Sequence, residues 1–161
     1  MDVSKYPMSK LEAALCHDRS AVEFVCLVAG ILHLWDDLID KDKDVGDDTV
    51  STAFRDALIT LPRNVFYAQN FMTLNPILAN SITNWHIATQ MERGSVGKEH
   101  QIAYILRSSA VDLITASATI LGGIDHGIRV GYDIRVHAHH EGLDGYLNNL
   151  AVEIAARTNK E

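Results

Sequence analysis

Residues 20–40 read Ser-Ala-Val-Glu-Phe-Val-Cys-Leu-Val-Ala-Gly-Ile-Leu-His-Leu-Trp-Asp-Asp-Leu-Ile-Asp, and the pattern of this stretch decides the fold class. Its apolar residues (Val22, Phe24, Val25, Leu27, Val28, Ile31, Leu32, Leu34 and Trp35) do not alternate with polar ones as a half-buried strand requires. Wound on a 3.6-residue repeat they surround the cylinder, which predicts a central apolar helix, about 21–40, packed on nearly every side. Ser20-Ala21-Val22-Glu23 fits the reciprocal capping box, and so does Ser9-Lys10-Leu11-Glu12. Two helices are therefore predicted to start near residues 10 and 21.

Working outward, the acidic segment Lys41–Asp48 ends that helix. A shorter one is predicted over 49–61, stopped by Pro62, whose ring and missing N–H oppose continuation. Residues 63–73 read as helical with few boundary signals. Asn75-Pro76 is a start signal, an N-cap followed by proline at the first helical position, and apolar residues recur from there to Glu92. After the turn 94–97, Lys98–Leu121 reads as one long helix with Ile102, Ile105, Leu106, Leu113, Ile114 and Ile120 inward, closed by Gly122-Gly123. Over 124–142 helix and irregular packing both stay open, because Gly127 and Gly131 each lower helix propensity by about 1 kcal/mol relative to alanine. Residues 143–157 complete the set with an amphipathic helix that puts Leu147, Leu150 and Ile154 on one face. The fold class is all-α: one domain over 1–161, a bundle of about six or seven helices around the central one.

Composition agrees with a folded chain, since 161 residues with 47% hydrophobic and 22% charged have the apolar content that disordered chains lack. A formal net charge of −7 argues against nucleic-acid binding, which needs a basic face. Cys16 and Cys26 sit among apolar neighbours and read as small buried thiols in a reducing compartment. The N-terminus lacks a signal-peptide pattern, and the apolar stretch 21–35 falls short of the roughly 20 residues that span a bilayer. The expected setting is cytoplasmic, without a membrane anchor.

The chemistry-bearing stripe is His33, Asp36, Asp37 and Asp40, extending to Asp44 if the helix continues that far, on one face at the helix end. Carboxylates so close repel one another, and the negative C-terminal end of the helix dipole adds to the cost. Solvent together with Lys41 and Lys43 relieves that repulsion in the plainest reading. A hard divalent cation does so in the sharper one, because Mg²⁺ prefers oxygen ligands and binds through one or two carboxylates plus substrate phosphates.

Leu32-His33-Leu34-Trp35-Asp36-Asp37-Leu38-Ile39-Asp40, at the end of a helix in an all-α chain, resembles the first Asp-rich motif of class I isoprenoid (terpene and polyprenyl) synthases. The resemblance covers about ten residues. It implies that Asp36, Asp37 and Asp40 hold Mg²⁺ and that the ions bind a diphosphate-containing ligand beside an apolar helical cavity. Members of that family carry a second metal motif on a facing helix. Here Val111–Thr119 comes nearest, with one acid and one hydroxyl but no terminal Glu, so a degenerate, non-catalytic relative fits as well as an active enzyme.

Asn84, Glu92 and Asp112 are the candidates for a complementary set. Their plainer roles are a surface acid near a turn for Glu92 and an ion pair with Arg107 or Arg129 for Asp112. His137, His139 and His140 have the ligand chemistry of a transition-metal site, against a plain role as solvated surface residues. An all-α nucleoside triphosphate pyrophosphohydrolase is a further alternative, but its Glu-x-x-Glu and Glu-x-x-Asp pairs do not occur. The non-enzymatic alternative is a helical interaction or assembly protein, forming a homo-oligomer through an apolar helix face.

Overall fold

The computed structural model describes residues 6–40, 44–94 and 97–158, apart from the side chains of Asp40 and of 156–158. Among the described residues the chain is all-α, without strands, and forms a single helical domain. Its elements run α1 (Met8–Ala14), α2 (Arg19–Asp40), α3 (Asp47–Arg55), a π-helical turn (Asp56–Thr60), α4 (Leu61–Arg63), α5 (Val65–Gln69), α6 (Phe71–Glu92), α7 (Lys98–Leu106), α8 (Val111–Gly122), α9 (Ile124–Ala138) and α10 (Gly142–Thr158).

The core joins α1, α2, α5, α6, α8 and α9, with Leu11, Leu15, Phe24, Leu74, Val111 and Ile114 shielded from water. Phe24 stacks on Tyr67 with ring centroids 5.1 Å apart, fixing α2 against α5. The expected central helix is present, yet it is not enclosed: Ala21, Phe24, Val25, Val28 and Leu34 are buried, while Leu38 and Ile39 lie open.

Neither capping box forms. Pro7 precedes α1 with no side-chain cap, and the backbone N–H of Ala21 donates to Asp18 Oδ1 at 2.8 Å. Ser20 and Glu23 serve tertiary contacts instead, because Asn64 reaches across from the head of α5. Asn64 Nδ2 donates to the Ser20 carbonyl (2.9 Å) and to Glu23 Oε2 (3.2 Å), while the Phe66 N–H donates to Ser20 Oγ (2.9 Å).

Proline placement also differs from expectation. The helical path passes Pro62 and ends at Asn64, since the π turn before it bonds Leu61 N–H to the Asp56 carbonyl and absorbs the misfit. Pro76 lies inside α6, which begins at Phe71, and Asn75 caps nothing there. Its side chain accepts from Tyr67 Oη at 2.9 Å.

The single helix expected over 98–121 is two, divided by a turn at 107–110. Ser108 Oγ donates back to the Ile105 carbonyl at 2.9 Å, competition of the kind that loosens a helix. The break re-aims the expected inward set: Leu113 and Ile114 are buried, whereas Ile102, Ile105 and Ile120 are exposed. By length and composition alone, 98–122 holds an 18-residue window apolar enough to cross a membrane, with mean hydropathy 1.2 and 44% of that window buried. The stretch 21–35 named from the sequence is therefore not the most span-like one.

The open segment 124–142 is helix α9 as far as Ala138, followed by a turn at 139–141 that leads into α10. Its glycines face α8, where a Cβ on Gly127 would collide with Thr119 Oγ1 and one on Gly131 would come within 3.0 Å of Thr115 Cγ2. Close helix approach offsets their low propensity. Both cysteines are free thiols; Cys16 is exposed and Cys26 half-buried, so the reading of two buried thiols holds for neither in full.

Candidate functional site

Asp36 stands near the end of α2, and Trp85 and Glu92 stand seven residues apart on α6, hence on one face two turns apart. Arg107 occupies the first position after α7, where the helix gives way and its side chain is free to turn inward. These four converge. Asp36 Oδ1 accepts from Trp85 Nε1 at 2.9 Å and from an Arg107 terminal nitrogen at 3.1 Å. The guanidinium grips Glu92 bidentately, with Nε to Oε1 at 2.7 Å and the second nitrogen on Oε2. It also lies over the Trp85 ring, 5.2 Å from its centroid, close enough for a cation–π contact.

Tyr146 of α10 donates its hydroxyl to the same Glu92 carboxylate. Burial, and then that hydrogen bond, push the Tyr146 phenol far above its ordinary value, so it stays a donor at neutral pH. Glu92 is only 4% exposed and accepts from both Arg107 and Tyr146, which makes its charge tolerable. The surface role weighed for it is therefore wrong: α6 ends at this residue and turns it inward.

These groups line a cavity of about 440 Å³ together with Tyr104, Ser108, His137, His139 and the acids Glu141 and Glu153. His139 is held by Ser108 Oγ at 2.9 Å from Nε2 and by the Tyr104 ring, with centroids 4.4 Å apart. Burial first, and then Arg135, lower its pKa against a smaller opposing effect of Glu141, which favours the neutral imidazole. The buried Nε2 of His137 has no hydrogen-bond partner among the described residues.

A small cleft of about 20 Å³ lies beside the cavity, with Asp36, Trp85 and Arg107 lining both. On its other side the cleft shares Leu32, Trp35 and Ile82 with an apolar groove of about 550 Å³ between α2, α3 and α6. Trp35 and Trp85, 5.6 Å apart, stand at this junction between polar and apolar space.

The residues singled out from the sequence divide. Asp36 and Glu92 meet on Arg107. Asp37 is 15% exposed and lies 3.8 Å from His33. The Asp40 side chain lies outside the described residues. Asn84 does not enter the network and donates to Ser109 Oγ at 3.0 Å. Asp112 is paired with Arg135, not with Arg107 or Arg129, and is not among the residues that line the cavity.

Among the described residues no three His, Cys, Asp or Glu side chains are arranged to hold a metal ion, the histidines 137, 139 and 140 included. The carboxylates fit only a cation whose remaining ligands come from elsewhere. Arg107 and Tyr146 were not foreseen at the site. One signal for Arg107 was present, since it is the single lysine or arginine between Lys98 and Arg129 in a largely apolar stretch. Tyr146 carried none. Comparison of the chain with protein-family models, curated proteins and solved structures found no match.

Proposed function

We propose that this chain binds an amphiphilic, diphosphate-containing molecule as its magnesium complex, with the charged end in the 440 Å³ cavity and the hydrocarbon along the apolar groove. The carrying observation is adjacency: the polar cavity and the apolar groove flank one small cleft, which shares Asp36, Trp85 and Arg107 with the first and Leu32, Trp35 and Ile82 with the second. A wholly polar ligand would leave the groove unused, and a hydrocarbon alone would leave the acids unmatched.

The charge balance supports a cation in the complex. Four acids line the cavity (Asp36, Glu92, Glu141 and Glu153) against the permanent charge of Arg107. A bare diphosphate would be repelled by that lining. Asp36 and Asp37, with Asp40 on the same helix end, would hold the Mg²⁺, which supplies the positive charge a diphosphate needs beside carboxylates. Asp36 is 40% exposed and its Oδ2 has no partner among the described residues, so an oxygen is open to solvent. Arg107 supplies planar N–H donors suited to phosphate oxygens, at the cost of loosening its contact with Asp36. Binding alone is proposed, with no turnover step.

The test is a thermal-shift titration of Mg²⁺ with inorganic diphosphate, and then with a prenyl diphosphate, on the wild type and on Asp36→Asn/Asp37→Asn. The expected result is saturable stabilisation that needs both Mg²⁺ and diphosphate, tightens with the hydrocarbon chain and vanishes in the double variant; at a hundredfold excess over Kd it reaches about 2.7 kcal/mol. No shift with either diphosphate, or an unchanged shift in the variant, overturns the proposal.

A further inference from the structure

The outer face of α9 carries Ile124, Ile128, Tyr132 and Val136, each four residues from the next and 72%, 65%, 71% and 58% exposed. Twelve residues of helix make this ridge about 18 Å long. The opposite face, with Gly127, Val130 and Ile134, is buried in the α8–α9 hairpin, so α9 is apolar on both sides. A solvated helix face is ordinarily polar, and a continuous apolar ridge marks an interaction surface. Ridges of i±4n spacing are the ones that interdigitate when two helices pack at the commonest crossing angle.

Beside the ridge runs a second exposed row at the same spacing, Asp125, Arg129 and Asp133, of alternating charge. We infer that α9 is a homodimerisation surface, on which a second copy of this chain packs its own α9 antiparallel about a two-fold axis level with Gly131. That register brings Arg129 level with Asp133 of the partner subunit, and by symmetry the pair forms twice. It also interleaves the apolar side chains: Tyr132 of the partner subunit falls between Ile128 and Tyr132, and Ile128 of the partner subunit between Tyr132 and Val136. In a parallel two-fold pair the two charged rows lie on opposite sides of the seam, so no pair between Arg129 and an acid of the opposing row forms. Charge pattern and ridge spacing thus select the same self-complementary arrangement, as an isologous dimer requires.

Sedimentation velocity on the full chain at micromolar concentration tests this, with circular dichroism to confirm folding of each variant. The wild type sediments with twice the 17.8 kDa chain mass, and Ile128→Glu is monomeric. Arg129→Asp raises the dimer dissociation constant about tenfold, and Arg129→Asp/Asp133→Arg restores it. Tyr132→Ser replaces Ile128→Glu if the latter does not fold. A wild type that is monomeric throughout, or a dimer unaffected by Ile128→Glu, overturns the inference. Failure of the double reversal to restore the dimer overturns the antiparallel register.

Discussion

Two arginine–carboxylate contacts flank the start of α8, and they are not equivalent. The Arg107 side chain is 21% exposed, and it joins the Glu92 side chain, 5% exposed, to Asp36 on α2. Arg135 and Asp112 are 42% and 43% exposed and tie only α9 to α8. The chemistry is the same, but water reaches the Glu92 carboxylate of the first contact far less easily than either partner of the second. Burial and the number of elements joined, more than the presence of an ion pair, decide which contact holds the architecture.

The sharpest way to break the comparison is Arg107→Ala. It leaves the Glu92 charge buried without its main partner, so a loss of about 3–5 kcal/mol is expected, read as a lower midpoint in urea unfolding. Tyr146→Phe removes one hydrogen bond to the same carboxylate and costs about 1.5–3 kcal/mol by the same measurement. It also carries a pH signature. The folded-state pKa of Tyr146 is raised, so its contribution is intact below the unfolded value near 10 and is lost as pH rises above it. Burial raises Tyr6, Tyr67 and Tyr104 too, so Tyr146→Phe lessens the alkaline fall in stability without abolishing it. Arg135→Ala is the smallest effect: at about 0–1 kcal/mol, its midpoint stays close to that of the wild type. A loss for Arg135→Ala equal to that for Arg107→Ala would collapse the distinction.

Much of the element map was legible because helices announce themselves through local periodicity. The second helix, the turn near Gly94 and the last helix lie where their patterns put them. The misses share a cause. Ser20 and Glu23 have the chemistry of a capping box, but Asn64, 41 residues beyond Glu23, claims both. Pro62 and Pro76 oppose helix locally, but a π turn accommodates the first and α6 carries the second in its interior. Gly127 and Gly131 weaken a helix in isolation and strengthen one that must approach α8 closely.

The site divides in the same way. Asp36 and Glu92 stood out by residue type, yet nothing local said that they meet. That depends on the break after Leu106, which aims Arg107 at both, and on α10 bringing Tyr146 alongside.

By itself the sequence determined the all-α class, the acidic character and the Asp-rich helix end, because these rest on composition and on contacts within a few residues. Only the tertiary structure decided which acids share Arg107, which faces stay apolar and open, and that polar and apolar spaces lie side by side at Trp85. Those outcomes depend on pairings between residues far apart in the chain, and helical periodicity carries no information about which distant face each helix will meet.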